Sequence, residues 1–230
     1  MQKFCVIVPA YQEEKCIASV VGGIRKYCET VVVVDDGSLD GTSNEAKKAG
    51  AVVLKHEDNK GKGVALNTGF KYAREKGFEF VITMDADGQH DPEEIPRFIE
   101  AYRSTMMPVI LGNRMDDPKT MPFVRHQTNR FMSWLLSRQM GQYVPDTQCG
   151  YRLFKIDAIP RKFFQERAFE SDEDGRFAAD SEMLLRLAET GIRIGAVPIK
   201  IIYRDEKSKI NPVKDTIRFF GMLLRYRSRK

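Results

Sequence analysis

The sequence predicts an α/β protein built on a mostly parallel, twisted β-sheet with helices on both faces. Strand-like and helix-like segments alternate through its first half, and such alternation requires crossover connections between parallel strands. Of the 230 residues, 42% are apolar and 30% are charged, and the mean hydropathy is −0.40. These values indicate a globular chain rather than a membrane-embedded or disordered one. We therefore expect a site in the loops at the carboxyl ends of the strands.

The predicted elements change character near residue 115. Before that point, short apolar runs predict strands at 3–8, 31–34, 51–55, 78–84 and 109–112. The segments between them predict helices at 13–27, 41–49, 63–76 and 92–102. After it, we expect helices at about 122–140 and 178–190, strands at 151–154 and within 194–202, a loop at 144–150 and an acidic stretch near 170–174. No low-complexity linker interrupts the chain, so the sequence predicts a single domain over 1–230.

The net charge of +5 is concentrated at the end of the chain. Residues 214–230 contain six basic residues and one acidic residue, which leaves the rest of the chain neutral. Val213, Ile217, Phe220 and Leu224 recur there at helical spacing and predict a basic amphipathic helix over 213–230. Such a helix either packs on the body of the protein or lies on an anionic membrane surface. No nucleic-acid-binding module accompanies it, so nucleic acid is not an expected partner.

The sequence lacks the apolar segments that membrane insertion requires. No uncharged apolar run approaches the roughly 18 residues of a spanning helix. The first apolar run is followed by Glu13 and Glu14 instead of a cleavage site. We therefore expect no transmembrane helix, no signal peptide and a cytoplasmic location. The four cysteines show no Cys-x-x-Cys spacing, which favours buried, reduced thiols.

Carboxylates follow three of the predicted strands. They are Glu13 and Glu14, Asp35 and Asp36, and Asp85 and Asp87. An Asp-x-Asp pair on a turn that leaves a buried strand can hold Mg²⁺ or Mn²⁺, which completes its coordination with phosphate oxygens. The alternative is that these acids cap the helices that follow. Asp91, which precedes Pro92, is better explained as such a cap.

Two further segments allow two interpretations each. Gly61-Lys62-Gly63 at a helix start is either a phosphate-binding loop or a tight turn, since neither the P-loop nor the dinucleotide-binding pattern is complete. Phe131, Trp134 and Leu135, flanked by Arg130 and Arg138, line either a lipid path or the core. The three histidines lack partners at metal-ligand spacing, and we assign them no catalytic role.

Taken together, the motifs are far more specific than any one of them. They are IVPAYQEE from residue 7, VVDDGSLDGT from 33, NKGKG from 59 and MDADGQH from 84. This set closely resembles family 2 glycosyltransferases of GT-A fold. Later segments, GNR from 112, DTQCGYR from 146, DSEML from 180 and Tyr203-Arg204 leading to Ser208-Lys209, resemble the polyprenyl-phosphate (dolichyl-phosphate) mannose and glucose synthase branch.

The resemblance implies inverting transfer of a hexose from a GDP- or UDP-sugar to a polyprenyl or dolichyl phosphate at the cytoplasmic membrane face. It implies that 1–115 binds the nucleotide-sugar and that 116–212 forms the acceptor side. Matched positions assign the nucleotide-sugar to Pro9, Tyr11, Glu13, Asp36, Lys62, Asp85, Ala86 and Gln89. They assign Mg²⁺ or Mn²⁺ to Asp85 and Asp87, the acceptor phosphate to Arg114, Arg204 and Lys209, and catalysis to Asp87, Asp146, Arg114 and Arg204.

The acceptor class depends on whether a general base is needed. A hydroxyl acceptor of a polysaccharide or glycolipid requires one, and Asp146, Asp180 or Glu182 could serve. A polyprenyl phosphate is already anionic at pH 7 and requires cations that position it. A nucleotide-sugar-binding module without turnover is the non-enzymatic alternative. Many members of the branch carry transmembrane segments after the catalytic domain and this sequence ends at Lys230, so a membrane-protein subunit joins the expected partners.

Overall fold

A seven-stranded β-sheet runs through the part of the chain that the computed structural model describes, which is residues 3–116, 121–164 and 179–202 together with Gly221. The strand order is β3-β2-β1-β4-β6-β5-β7. The strands are β1 (Phe4–Ala10), β2 (Val31–Asp35), β3 (Val52–Lys55), β4 (Phe80–Thr83), β5 (Val109–Asn113), β6 (Arg152–Lys155) and β7 (Ile194–Pro198). Apart from Gly221, the predicted helix over 213–230 lies outside the described residues, as do the acidic stretch near 170–174, Arg204 and Lys209.

Six α-helices connect or flank these strands within the described ranges. They are α1 (Glu14–Ile24), α2 (Thr42–Lys48), α3 (Lys62–Glu75), α4 (Ile95–Thr105), α5 (Phe123–Met140) and α6 (Ala179–Glu189). A 3₁₀ turn, Pro92–Glu94, precedes α4, and Asp91 caps it by accepting a hydrogen bond from the backbone N–H of Glu93, as predicted. The α-helix itself starts only at Ile95, later than predicted. Pro96 at its start lacks the N–H that would bond to Pro92, which leaves the preceding turn in 3₁₀ form.

The sheet is mostly parallel, as predicted, but β6 runs against both of its neighbours. Strands β1, β2, β3 and β4 pair in parallel, as do β5 and β7. Strand β6 is antiparallel to β4 and β5, with Arg152 opposite Thr83 and Leu111. An antiparallel strand begins where its neighbours end. The loop 144–150 that leads into β6 therefore lies at the carboxyl edge of the sheet, beside the loops that follow β1, β2 and β4.

Helices cover both faces of the sheet, and each face has its own apolar core. Cys5 and Ile7 of β1 point to one side, where they pack with residues of α3 and α6. Val6 and Val8 point to the other, where they pack with residues of α1 and α4. This alternation is the strand period of two. None of the described helices combines the length and the apolar composition needed to cross a membrane.

All four cysteines are buried with free thiols, as predicted. Burial raises the pKa of Cys28 to about 11 and that of Cys149 to about 12, because a thiolate loses hydration in an apolar interior. Burial also raises the pKa of Cys5.

The sequence allowed Phe131, Trp134 and Leu135 of α5 either to line a lipid path or to lie in the core, and the structure separates them. Leu135 packs against the small core that α5 shares with α6. Phe131 and Trp134 instead remain about half exposed, with their rings stacked 6.0 Å apart.

Candidate active site

A cavity of about 300 Å³ lies at the carboxyl ends of β1, β2 and β4. It is lined by Pro9, Ala10, Tyr11, Glu13, Asp36, Asn59, Gly61, Lys62, Ala65, Asp85, Ala86 and Asp87. Seven of the eight residues assigned to the nucleotide-sugar are therefore brought together here, with Asp87 beside them. The eighth, Gln89, is half-buried two residues on, and its backbone N–H donates to Asp87 Oδ1 at 3.0 Å.

The loop after β1 is held in place by two hydroxyls, one from the loop after β2 and one from the first residue of α2. The backbone N–H of Gln12 donates to Ser38 Oγ, and that of Glu13 donates to Thr42 Oγ1, both at 2.9 Å. Gln12 has a φ of 55°, in the left-handed region. These contacts fix the turn that presents Tyr11 and Glu13 to the cavity.

The side chain of Asp36 organises the loop that leads into α3. Its Oδ1 accepts the backbone N–H of Lys60 at 3.0 Å, and its Oδ2 accepts that of Gly61 at 2.7 Å. The ring of His56 joins this network, with Nδ1 2.7 Å from Asp36 Oδ1 and Nε2 2.9 Å from Thr68 Oγ1. The sequence did not indicate the role of His56, because the separation of 20 positions between His56 and Asp36 matches no metal or catalytic spacing. Asp36 thus shapes the cavity wall through backbone contacts.

Lys62 is the positive charge of the cavity. Its Nζ lies 2.6 Å from Asp85 Oδ1 and 2.8 Å from Asp180 Oδ2. Burial opposes the charge on the ammonium group, but Asp180 and Asp85 outweigh that cost and raise the pKa of Lys62. Burial likewise favours the neutral form of Asp85, but the ammonium group of Lys62 holds the pKa of Asp85 below its usual range. Both groups are therefore ionised at neutral pH.

The partner Asp180 is itself held by a buried arginine at the start of β6. Arg152 Nη1 lies 3.3 Å from Asp180 Oδ1 and donates to the Asp180 carbonyl at 3.1 Å. The same guanidinium donates to the carbonyls of Cys149 and Thr147, which fixes the loop 144–150. This loop closes tightly on the cavity, since a Cβ at Gly150 would lie 2.6 Å from Asp85 Oδ2.

His90 is buried behind Asp85. The backbone N–H of Asp85 donates to His90 Nδ1 at 3.2 Å, which requires that nitrogen to be unprotonated. Burial lowers the pKa of His90, although Asp85 opposes the effect. Its ring also packs 5.0 Å from that of Tyr151. His90 therefore supports the turn that carries Asp85 as a neutral ring, a contribution for which the sequence offers no signal beyond proximity.

Arg114 and Asp146 form a buried ion pair at the end of β5. Arg114 Nε donates to Asp146 Oδ2 at 2.6 Å, and Nη2 donates to Oδ1 at 2.9 Å. The two carboxylate oxygens also accept the backbone N–H groups of Arg114 and Gln148. Asp146 is fully buried and engaged on both oxygens. This geometry suits a residue that orients Arg114 better than one that removes a proton from an acceptor.

The carboxylates of the cavity fit a divalent cation that is bound together with a phosphate ligand. Asp85 and Asp87 line the same space, and Mg²⁺ is commonly held by one or two carboxylates while phosphate oxygens and water supply the rest. Within the described ranges, no group of three or more His, Cys, Asp or Glu residues could enclose a metal without such a ligand. The donor set thus matches a site that is completed by substrate.

The fold and the cavity define an α/β protein with an acidic ligand site at the carboxyl edge of its sheet. Residues 5–167 match the model of Glycosyl transferase family 2, and the chain belongs to that family. It is 34% identical over 221 residues to the UDP-N-acetylglucosamine–dolichyl-phosphate N-acetylglucosaminyltransferase of Methanococcus voltae, covering 87% of this chain and 86% of the relative. It is 32% identical over 213 residues to the undecaprenyl-phosphate mannosyltransferase of Micrococcus luteus, covering 86% and 83%.

The fold is also that of a solved glycosyltransferase. The chain superposes on glucosyl-3-phosphoglycerate synthase from Mycobacterium tuberculosis, in complex with Mn²⁺, UDP and glucosyl-3-phosphoglycerate, with a TM-score of 0.70 and 16% sequence identity. The superposition covers 97% of this chain and 79% of the other. The predicted GT-A fold is thereby confirmed.

Proposed function

We propose that this family 2 glycosyltransferase moves a hexose, with inversion, from a nucleotide-sugar to a polyprenyl phosphate at the cytoplasmic membrane face. The observation that carries the proposal is the pairing of two sites at one sheet edge. One is an acidic cavity that contains Lys62, Asp85 and Asp87. The other is a buried arginine, Arg114, locked by Asp146. Support comes from the two relatives above, whose names specify dolichyl and undecaprenyl phosphate.

On the donor side, Asp85 and Asp87 would hold Mg²⁺ or Mn²⁺, and Gln89 would steady Asp87 through its backbone N–H. Such an ion acts as a Lewis acid that stabilises the charge on a departing nucleoside diphosphate. Pro9, Tyr11, Glu13 and Asp36 form the wall that would face the nucleotide. Lys62 supplies a second, fixed positive charge near the leaving group, since its charge is maintained by Asp85 and Asp180.

On the acceptor side, no general base is required. The second pKa of a phosphate monoester lies near 6, so an oxygen of the acceptor is anionic at pH 7. That oxygen attacks the anomeric carbon while the bond from this carbon to the diphosphate oxygen breaks, which inverts the configuration. Among the residues that the structure describes, Arg114 would orient the acceptor phosphate. Arg204 and Lys209, which lie outside them, are proposed to assist it. Residues 213–230 would contact the anionic membrane surface, alone or with a membrane-protein subunit.

The test is sugar transfer by the purified chain. Undecaprenyl or dolichyl phosphate is supplied in detergent with GDP- and UDP-hexoses and with Mg²⁺ or Mn²⁺, and the lipid product is measured. Asp87→Ala should lower turnover by more than about 100-fold, because the leaving group loses its metal ion. Asp91→Ala is the control, because it removes a carboxylate of the same loop whose role is to cap the turn that follows. It should cost about 1 kcal/mol of stability and leave turnover unchanged.

Three outcomes would contradict parts of the proposal. Full activity of Asp87→Ala, or of the wild type in excess chelator, would exclude the metal role. Transfer to the corresponding polyprenol, with the phosphate inert, would show a hydroxyl acceptor. Donor binding without transfer to either acceptor would show a binding module.

A further inference from the structure

Helix α5 is turned so that polar residues face the protein and aromatic residues face outward. Its buried positions include His126, Asn129, Ser133 and Ser137. Each has a partner: His126 lies 3.3 Å from the Met115 carbonyl, and the hydroxyl of Ser137 donates to the Val144 carbonyl. The side-chain amide of Asn129 donates to the sulfur of Met121, and the hydroxyl of Ser133 forms a hydrogen bond with that of Thr147. The inner face of α5 is therefore held by these polar contacts as well as by Met132 and Leu136, which pack with Leu185 of α6.

The opposite side of α5, which we call the α5 outer face, consists of Phe123, Val124, Arg130, Phe131, Trp134 and Arg138. The exposed fractions are 75% for Phe123, 67% for Val124, 50% for Phe131 and 55% for Trp134. These positions recur at helical spacing, so they form one stripe rather than scattered exposed residues. A helix that only packed on this protein would bury its largest apolar side chains instead of exposing them.

The charge on the segment that forms α5 is of one sign. Residues 121–145 contain three arginines and no aspartate or glutamate. Arg130 and Arg138 are exposed on the outer face, beside the aromatic rings. Trp and Phe with arginine are the residues that helices place at the boundary between lipid headgroups and acyl chains, where the rings enter and the cations meet anionic headgroups.

The position of α5 ties this face to the proposed acceptor site. The helix follows β5, whose end carries Arg114, and His126 in its first turn lies against Met115. The first turn of α5 therefore lies close to the segment that carries Arg114.

We infer that the α5 outer face is a membrane-docking surface that inserts Phe123, Phe131 and Trp134 into the interface of an anionic bilayer. This inference extends the proposed function, but its test uses vesicles without donor or acceptor, so the two can fail separately. It is distinct from any contact made by residues 213–230, because it depends on a described helix within the catalytic domain.

Trp134 is the only tryptophan of the chain and reports directly on this face. With the full chain, its fluorescence should shift to shorter wavelength on adding vesicles that contain phosphatidylglycerol, and brominated lipid should quench it. Vesicles of phosphatidylcholine alone should produce a much smaller change. An emission that neither kind of vesicle changes would overturn the inference. It would mean that another segment of the chain or a second copy covers the α5 outer face.

Variants separate specific docking from general charge attraction. Phe123→Ser with Phe131→Ser, and separately Arg130→Gln with Arg138→Gln, should each weaken vesicle binding roughly tenfold or more at low salt. The matched control is Lys26→Gln with Lys71→Gln, which removes two exposed cations from other surfaces and should have little effect. Equal losses in the control and the arginine variant would overturn the inference. Sugar transfer in detergent by a chain that shows no shift would leave the proposed function intact.

Discussion

At the scale of single residues, Lys62 joins parts of the chain that no local pattern connects. The family resemblance assigned Lys62 and Asp85 to the same nucleotide-sugar site. It could not indicate that Asp180, 118 residues away, completes the ion pair, because this contact depends on how α6 packs against α3. In the sequence Arg152 is only the last residue of a motif, whereas in the structure it is buried and donates a hydrogen bond to the Asp180 carbonyl. Long-range electrostatic contacts of this kind follow from packing.

The buried pair of Arg114 and Asp146 predicts a large stability effect. Asp146→Ala should lower the free energy of unfolding by about 3–5 kcal/mol, because it leaves a buried guanidinium without its counter-ion. Denaturant unfolding followed by circular dichroism measures it. The control is Glu45→Ala, which breaks the exposed pair with Lys48 and should change stability by less than about 1 kcal/mol. An Asp146→Asn variant that keeps wild-type stability but loses all transfer would instead favour a proton-transfer role for Asp146.

His56 predicts an effect on donor affinity rather than on the chemical step. His56→Ala should raise KM for the nucleotide-sugar about tenfold, because one hydrogen bond to the charged Asp36 is lost and the loop 59–61 loosens. Steady-state kinetics should show kcat nearly unchanged. His56→Gln, which can still donate to Asp36, should recover part of the affinity. Loss of stability alone, with KM unaltered, would assign His56 a purely structural role.

At the scale of elements, the close packing of α3 on β1 sets the position of the cavity. A Cβ at Gly69 of α3 would lie 2.5 Å from Ile7 Cγ2, so only glycine permits this approach. The helix thereby brings its first residue, Lys62, to the end of β1 and β4. The sequence predicted the helix and its start. It did not predict how close the helix comes to the sheet, since glycine inside a helix has several explanations.

Gly69→Ala should destabilise the protein even though alanine favours helices. The clash with Ile7 should outweigh the roughly 1 kcal/mol gained in helix propensity and leave a net loss of about 1–2 kcal/mol. Gly22→Ala in α1 is the control, because a Cβ there meets no atom within 4 Å, and it should stabilise by about 0.5–1 kcal/mol. Urea denaturation of both variants measures the difference. Equal stabilisation by the two would show that α3 can shift without cost.

At the scale of the whole molecule, the donor should act as a stabilising ligand. A nucleotide-sugar at 100 times its Kd adds about 2.7 kcal/mol, which for a chain of this size raises Tm by roughly 5–10 °C. A thermal-shift panel of UDP- and GDP-sugars with Mg²⁺ and Mn²⁺ identifies the preferred base. Asp87→Ala should lose the metal-dependent part of the shift and Asp91→Ala should retain it. Absence of a shift with every nucleotide-sugar would contradict the assignment of the cavity.

The overall architecture was largely predictable, and its exceptions have physical causes. The alternation of strands and helices through residue 112 indicated the parallel sheet, and a parallel sheet places the loops after its strands at one edge. The direction of β6 was not predictable from four residues with a buried strand pattern, since parallel and antiparallel strands of that length look alike. The exposed rings of Phe131 and Trp134 were not predictable either, because helical spacing alone does not say which face is buried.

The buried cysteines can serve as natural reporters of local unfolding. Because burial keeps the pKa of Cys28 near 11 and that of Cys149 near 12, almost no thiolate is present at neutral pH. A thiol reagent can then modify these cysteines only during moments when the surrounding structure opens. The labelling rate of Cys5 reports the opening of the sheet and that of Cys28 the opening of the turn after α1, whereas that of Cys149 reports the opening of the loop beside Arg152. Their labelling rates would separate breathing of the donor side from that of the acceptor side without any introduced probe.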